Sequence, residues 1–278
     1  MRARFAKYEG LGNDFVVVDD APAHASFTAH AIEICDRHRG VGADGVLLIE
    51  RSADSVAMRV INPDGTRPEM CGNGIRCVAW HLVRTGVREA GMPFDIDTDS
   101  GMHRCRVQLQ RDGAVIEVAM RAASLEPNAI PVAAERPVID ETFDVAGASL
   151  RVSCVSMGNP HAVTFDDVGL DARALLGPAL QKHARFPQSA NIGFARVVAP
   201  QRIDLAVFER GAGFTEACGT GACACAVAAV ETGRAMRHAP IEVKLPGGVL
   251  TIVVGAAGER ISMTGPARHV FDGELDLG

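Results

Sequence analysis

Two cysteines, Cys71 and Cys218, head segments written in one grammar: "EMCGNGIRCVAWHLVRTG" over 69–86 and "EACGTGACACAVAAVETG" over 216–233. Laid over one another 147 residues apart, the segments agree at eight of eighteen positions: Glu69/Glu216, Cys71/Cys218, Gly72/Gly219, Gly74/Gly221, Ala79/Ala226, Val83/Val230, Thr85/Thr232 and Gly86/Gly233. Glycines ahead of a helix let backbone approach a ligand closely. The apolar run that follows reads as that helix, with Gly86 and Gly233 at its left-handed C-terminal stop. Each cysteine then stands at a helix N-terminus, where unpaired N–H groups and the positive dipole end favour an anion. The same field favours a thiolate and predicts a pKa below the ~8.5 of free cysteine. Two such units face to face can grip a carboxylate at both helix ends while a thiol reaches its α-carbon from each side. That suits removal of a proton from one face and its replacement on the other, inverting a stereocentre.

The matched pair carries this reading. A lone cysteine near a helix start is more often packing, and Cys35, Cys77, Cys105, Cys154, Cys223 and Cys225 read as small core residues. The spacing of Cys71 and Cys77 is not the C-x₂-C of a zinc site, so no metal is expected. "GNGIR" and "GTGACA" lack a full G-x-G-x-x-G or a Walker lysine.

Around the cysteines the chain alternates strand and helix signals. "FVVVDD", "GVLLIE" and "VAMRVIN" read as strands, with a helix near 28–38 entered at Thr28. "FDIDTDSG", "HRCRVQLQRDG" and "AVIEVAM" follow as strands joined by glycine turns. Beyond the proline-containing stretch "SLEPNAIPVAAERP" the pattern returns: strands "SLRVSCVSMG" and "HAVTFDD", a helix near 171–183, then strands "IGFARVVA" and "RIDLAVFE". Gly12-Asn13 falls against Gly158-Asn159 at a spacing of 146, so the echo spans a duplicated unit. The fold expected is two pseudo-symmetric α/β domains.

Composition agrees. The 278 residues, 47% hydrophobic and 22% charged, suit two ordinary domains with sizeable cores. A net charge of −6 argues against a nucleic-acid partner. No run has the length of a membrane span and the N-terminus lacks a signal-peptide core, so a cytoplasmic protein without a membrane partner is expected. Eight cysteines in such a chain read as thiols, not a disulfide framework.

"GLGNDF", "GVGADG", "NPDG", "MCGNGIRC", "SMGNPH", "ANIGF", "ERGAGFTEACGTGA", "LPGG" and "TGPA" occur in this order along the whole chain. In them the sequence resembles the diaminopimelate epimerase family. The resemblance implies two domains, each a mostly antiparallel sheet wrapped around a central helix. They fall at 1–121 and 122–265, with 266–278 returning to the first. It implies a cofactor-independent isomerase of lysine and peptidoglycan-precursor synthesis that interconverts LL- and meso-diaminopimelate. A homodimer with a small-molecule substrate is implied as well. Residue by residue, Cys71 and Cys218 match the proton-transferring pair, and His161 and Glu209 match residues beside them that affect their activity. The amides of Gly72, Asn73, Gly219 and Thr220 match groups that face the substrate. Asn13, Asn62, Asn159, Asn191, Glu209 and Arg210 match polar substrate contacts. Such contacts suit a molecule with two carboxylates and two ammonium groups: a neutral amide accepts from one and donates to the other, and an arginine forks onto a carboxylate. Next to glycine or proline, Asn13, Asn62 and Asn159 also read as plain turn residues.

Two positions depart from the pattern. Gly45 stands where some members carry glutamine, and Phe214 where glutamate is expected. The nearest rival reading, a proline racemase or hydroxyproline epimerase, typically has histidine where this chain has Asn73. A cysteine-based metal or redox protein is the rival from another class.

Overall fold

A computed structural model describes residues 2–19, 24–52, 55–68 and 70–277, with residues 24–26 in backbone only. Glu69, one half of the Glu69/Glu216 match, and Asp20 of the "FVVVDD" run lie outside the described residues. In chain order the elements begin with β1 (Arg2–Gly10), β2 (Asn13–Asp19), α1 (His24–Cys35), β3 (Gly45–Arg51) and β4 (Val56–Ile61). Then come α2 (Gly72–Arg84), β5 (Pro93–Thr98), β6 (Gly101–Gln110) and β7 (Gly113–Ala122). The second series is β8 (Glu141–Val145), β9 (Ala148–Ser156), β10 (Pro160–Thr164), α3 (Leu170–Gln181), β11 (Asn191–Ala199) and β12 (Arg202–Glu209). It ends with β13 (Gly213–Phe214), α4 (Gly219–Glu231), β14 (Pro240–Leu245), β15 (Gly248–Val253) and β16 (Arg260–Asp276). No helix among the described residues is long and apolar enough to cross a membrane.

The chain forms two compact units, Met1–Ala119 with Thr264–Gly278, and Met120–Met263. In the first, strands run in the order β1-β2-β3-β4-β5-β6-β7-β16, and β16 also pairs with β1, closing the sheet around α2. In the second the order is β8-β9-β10-β11-β12-β14-β15-β16, with α4 packed against β9, β10, β11, β12, β14 and β15. This is the sheet-around-a-helix fold that the resemblance implies.

The duplication is visible strand by strand. Most pairs are antiparallel, but β2–β3 and β10–β11 are parallel, as are β4–β5 and β12–β14. Parallel neighbours need a crossover, and each of these four pairs is joined through one helix. The middles of β2, β3 and β10 and the first half of β11 are buried on both faces, and there the strands run apolar on consecutive residues. In the first unit Val16, Val18, Val46 and Leu48 pack with Phe27, Ala31 and Ile34 of α1, while Leu47 lies beside Gly74 at the start of α2. In the second, Ile192 and Phe194 of β11 pack with Leu176 and Leu180 of α3.

Helix α1 begins at His24 and not at Thr28 as the sequence suggests, and it ends at Cys35 rather than near residue 38. Its buried stripe of Phe27, Ala31 and Ile34 needs a turn ahead of Thr28, so tertiary packing overrides the capping signal. At the other end Asp36 accepts the amides of His38 and Arg39, which stops the helix.

The repeated segments fold alike. Helices α2 and α4 are both thirteen residues long, start directly after Cys71 and Cys218, and are capped at Thr85 and Thr232. Both are buried nearly all round, which α4 achieves with alanine, glycine and cysteine. At the C-terminal ends Gly86 and Gly233 take φ of 75° and 71°. Their amides reach Val83 and Val230, and the next amides, of Val87 and Arg234, reach Leu82 and Ala229. These are the paired hydrogen bonds of a Schellman stop. A Cβ at either glycine would meet nothing within 4 Å. The whole cost of alanine there is therefore conformational. Gly86→Ala and Gly233→Ala should each lower stability by about 1 kcal/mol, read as a shifted urea midpoint at unchanged slope.

Candidate active site

In the first unit, Cys71 occupies the N-cap of α2 in extended geometry (φ −135°, ψ 110°), and its Sγ accepts the Gly74 amide at 3.3 Å. Behind it lies a directed chain of hydrogen bonds. Arg76, fully buried, donates to the Gly72 carbonyl at 3.0 Å, the Pro266 carbonyl at 3.1 Å and Asn73 Oδ1 at 3.0 Å. Asn73 Nδ2 donates to Asn13 Oδ1 at 3.1 Å, and Asn13 Nδ2 donates to Asp44 Oδ2 at 2.6 Å. Asp44 also takes Arg37, which bridges to Asp14, and Asp14 pairs with the buried Lys7. Burial opposes ionisation of Asp14, but the hydrogen bonds from Arg37 and Lys7 prevail and hold its carboxyl below the usual range. Asn62 is occupied locally: its Nδ2 donates to Thr66 Oγ1 at 2.9 Å and its backbone closes the 62–66 turn.

In the second unit, Cys218 caps α4 in similar geometry (φ −124°, ψ 103°) and is buried. Its Sγ lies 3.7 Å from Thr220 Oγ1. Asn159 Nδ2 donates to Thr220 Oγ1 at 3.3 Å, so Asn159 Oδ1 faces His161 Nε2 at 3.0 Å as the acceptor. The chain thus runs from His161 through Asn159 and Thr220 to the sulfur. Burial, with Arg210 adding to it, pushes the His161 pKa down to about 3, so the ring is neutral and donates through Nε2–H. Asn191 lies opposite His161 in the β10–β11 pairing and accepts the Arg210 amide at 2.8 Å. Arg210 reaches the Gln188 carbonyl at 3.0 Å, whereas Glu209 takes the Thr215 hydroxyl, so the two neighbours are held by separate partners.

The family model for diaminopimelate epimerase matches residues 5–125 and 153–270. The chain belongs to the diaminopimelate epimerase family. It is 42% identical to the diaminopimelate epimerase of Gloeothece citriformis over 100% of both chains. To diaminopimelate epimerase 1 of Nostoc sp. it is 45% identical, over 99% of this chain and 100% of that one. Among solved structures, a phenazine biosynthesis protein of the PhzF family from Bacillus anthracis superposes at a TM-score of 0.74 and 16% identity, covering 99% of each chain. A hydroxyproline epimerase from Agrobacterium vitis does so at 0.70 and 15%, covering 99% of this chain and 91% of that one. These two likenesses are of fold.

Against the family's pattern, the fold gathers Cys71, Gly72, Asn73 and Asn13 around the start of α2. It gathers Cys218, Gly219, Thr220, Asn159 and His161 around the start of α4. Glu209 joins the second group through its effect on Cys218. Here the sequence expectation fails in one respect. Burial first, and the Glu209 carboxylate second, push the Cys218 thiol well above its ordinary value, while the Thr220 hydroxyl and Gly221 amide pull only partly the other way. At this helix end burial outweighs the pull of the dipole and the capping amide.

The two departures have structural accounts. A Cβ at Gly45 would lie 2.9 Å from the Ile61 carbonyl oxygen, so β3 and β4 leave a side chain no room without a shift. Phe214 stacks edge-on against Phe208, with ring centres 5.2 Å apart, and closes the β12–β13 hairpin that puts Thr215 on Glu209. Sequence reasoning missed Asp44, Arg76 and Thr215. All three sit inside the quoted motifs, but their partners lie 31, 3 and 6 residues away and only the folded chain pairs them.

Two outcomes follow. In Glu209→Gln, loss of the carboxylate should lower the Cys218 pKa and speed its alkylation by iodoacetamide near pH 8 by about threefold or more. An unchanged rate would mean burial alone sets it. His161 is neutral when folded and titrates near 6.5 when unfolded. Its contribution is therefore present above pH 6.5 and lost as pH falls towards 3, at up to about 1.4 kcal/mol per pH unit. His161→Phe, the residue type at the matching Phe15, should flatten acid destabilisation in urea titrations between these limits.

Proposed function

We propose that the chain is an isomerase that interconverts LL- and meso-diaminopimelate with two thiols, Cys71 and Cys218, one from each unit. In this mechanism one takes the α-proton as thiolate and the other delivers a proton to the opposite face. The observation that carries the reading is the duplicated cysteine at the N-cap of a buried helix, in a chain of this family. One proton is shared between the thiols, since two thiolates would repel and leave no acid. The environment of Cys218 favours its protonated form, and the two thiols exchange the acid and base roles when the reaction reverses.

Charge builds on the substrate as its α-proton leaves. On this reading the fixed amides at the starts of α2 and α4, from Gly72, Asn73, Gly219 and Thr220, meet the carboxylate and need little reorganisation. When Cys218 has given up its proton, the Thr220 hydroxyl is within reach to donate to the sulfur, and Asn159 and neutral His161 hold that hydroxyl in place. Asn191 and Arg210 offer an amide and a guanidinium for the distal amino-acid end, with Asn13, Asn62 and Glu209 as further polar contacts. On this reading the protein works without a cofactor, in the cytoplasm, as a homodimer, in lysine and peptidoglycan-precursor synthesis.

Purified protein with LL-diaminopimelate in heavy water should lose optical purity and gain deuterium at the α-carbon, with L-proline untouched. Cys71→Ala and Cys218→Ala should each lower kcat by about 10³-fold or more. Inversion without solvent hydrogen over many turnovers, or wild-type rates in either variant, would overturn the two-thiol reading.

A further inference from the structure

The duplicated positions Asn13/Asn159 and Asn73/Thr220 are hydrogen-bonded to each other in both units, but in opposite directions. In the first unit Asn73 donates to Asn13; in the second Asn159 donates to Thr220. A carboxamide can present either end, so something outside each pair must choose. In the first unit the choosers are charged. A guanidinium only donates and a carboxylate only accepts. Arg76 therefore forces Asn73 Oδ1 towards itself and Asn73 Nδ2 towards Asn13, and Asp44 forces Asn13 Nδ2 outward, each at hydrogen-bonding distance. The second unit has no such lock at the matching places: Cys223 stands 147 residues after Arg76, and Ala190 stands 146 after Asp44.

Arg76 is well placed to impose this order. It is among the largest fully buried side chains, and its donors tie together the Cys71 turn at Gly72 and the returning strand at Pro266. A Cβ at Gly10 would lie 3.2 Å from its Nη2, so the glycine of "GLGN" leaves the room it occupies.

We propose that Arg76 and Asp44 are positioning residues for the Cys71 half of the site. They lock the Asn73–Asn13 amides in one donor–acceptor order and hold the first turn of α2 under Cys71. The effect on turnover rests on the epimerase reading above; the effect on Cys71 does not. Three variants test it: Arg76→Lys, which can still only donate, Arg76→Gln, which is uncharged and can point either way, and Asp44→Asn, which is isosteric.

With LL-diaminopimelate, Arg76→Lys should stay within about fivefold of wild-type kcat/KM and Arg76→Gln should fall about 100-fold. Asp44→Asn should raise KM about tenfold with kcat within about threefold. Without substrate, iodoacetamide alkylation followed peptide by peptide should change about fivefold or more at Cys71 in Arg76→Gln and less than about twofold at Cys218. A general loosening of the fold would move both cysteines. Equal losses in the lysine and glutamine variants, parallel changes at both cysteines, or wild-type KM in Asp44→Asn would each overturn the proposal. If Arg76→Gln does not fold, Asp44→Asn decides alone. If wild-type protein leaves diaminopimelate unchanged, the functional reading fails while the alkylation arm still judges the lock.

Discussion

Everything at these sites depends on leaving one end of a buried helix open. A helix enclosed by strands can offer polar groups only at its ends, since its sides are committed to packing. In both units the C-terminal end is closed by a Schellman stop at Gly86 or Gly233, which satisfies the last carbonyls internally. The N-terminal amides are left for a ligand and for the cysteine that caps them. Glycine is what keeps that end open. A Cβ at Gly74 would crowd Leu47 at 3.0 Å, and one at Gly221 would sit 3.2 Å from the Cys218 sulfur. Side chains there would push the sulfur off the amides or the helix off its strands.

That shared scaffold does not impose a shared charge state. The field of a helix end is worth about 0.3–2 kcal/mol. Full burial of an ionisable group shifts its pKa by as much as ~3–5 units, and each unit is about 1.4 kcal/mol. Where a thiol is as enclosed as Cys218, burial wins, and the Glu209 carboxylate adds to it. In the first unit Arg76 lies against the cap turn, and Asn73 and Asn13 link it to Asp44, Arg37, Asp14 and Lys7. One fold therefore sets its two capping cysteines among different charged neighbours, as the proposed acid–base reaction would use.

What the sequence made legible was what local rules govern. The glycine stop after each repeated helix and the strand alternation follow from residue type and spacing alone, and the structure matches them, whereas the glycines read as preceding each helix form its first turn. The start of α1 was misread because Phe27 is recruited by strands far along the chain, and no local signal reports that. The Cys218 shift was misread because the dipole is a local property and burial a global one. Asn62 shows the reverse case: its neighbours Pro63 and Gly65 marked a turn, and its side chain does close that turn on Thr66. Whether a carboxamide points its oxygen or its nitrogen at a ligand is never written at its own position.

On the proposed reading, that last point is how a duplicated module can serve a substrate with unlike charges. Asparagine stays asparagine at positions 13 and 159, yet one hands its Nδ2 to a carboxylate and the other hands it to a threonine hydroxyl beside a thiol. No change at the amide itself was needed to reverse the polarity. Arg76 and Asp44 stand behind one pair and neutral His161 behind the other, and the helix partner is Asn73 in the first and Thr220 in the second. On the proposed reading, the residues that would touch a ligand are nearly symmetric, and the asymmetry is held one layer further back.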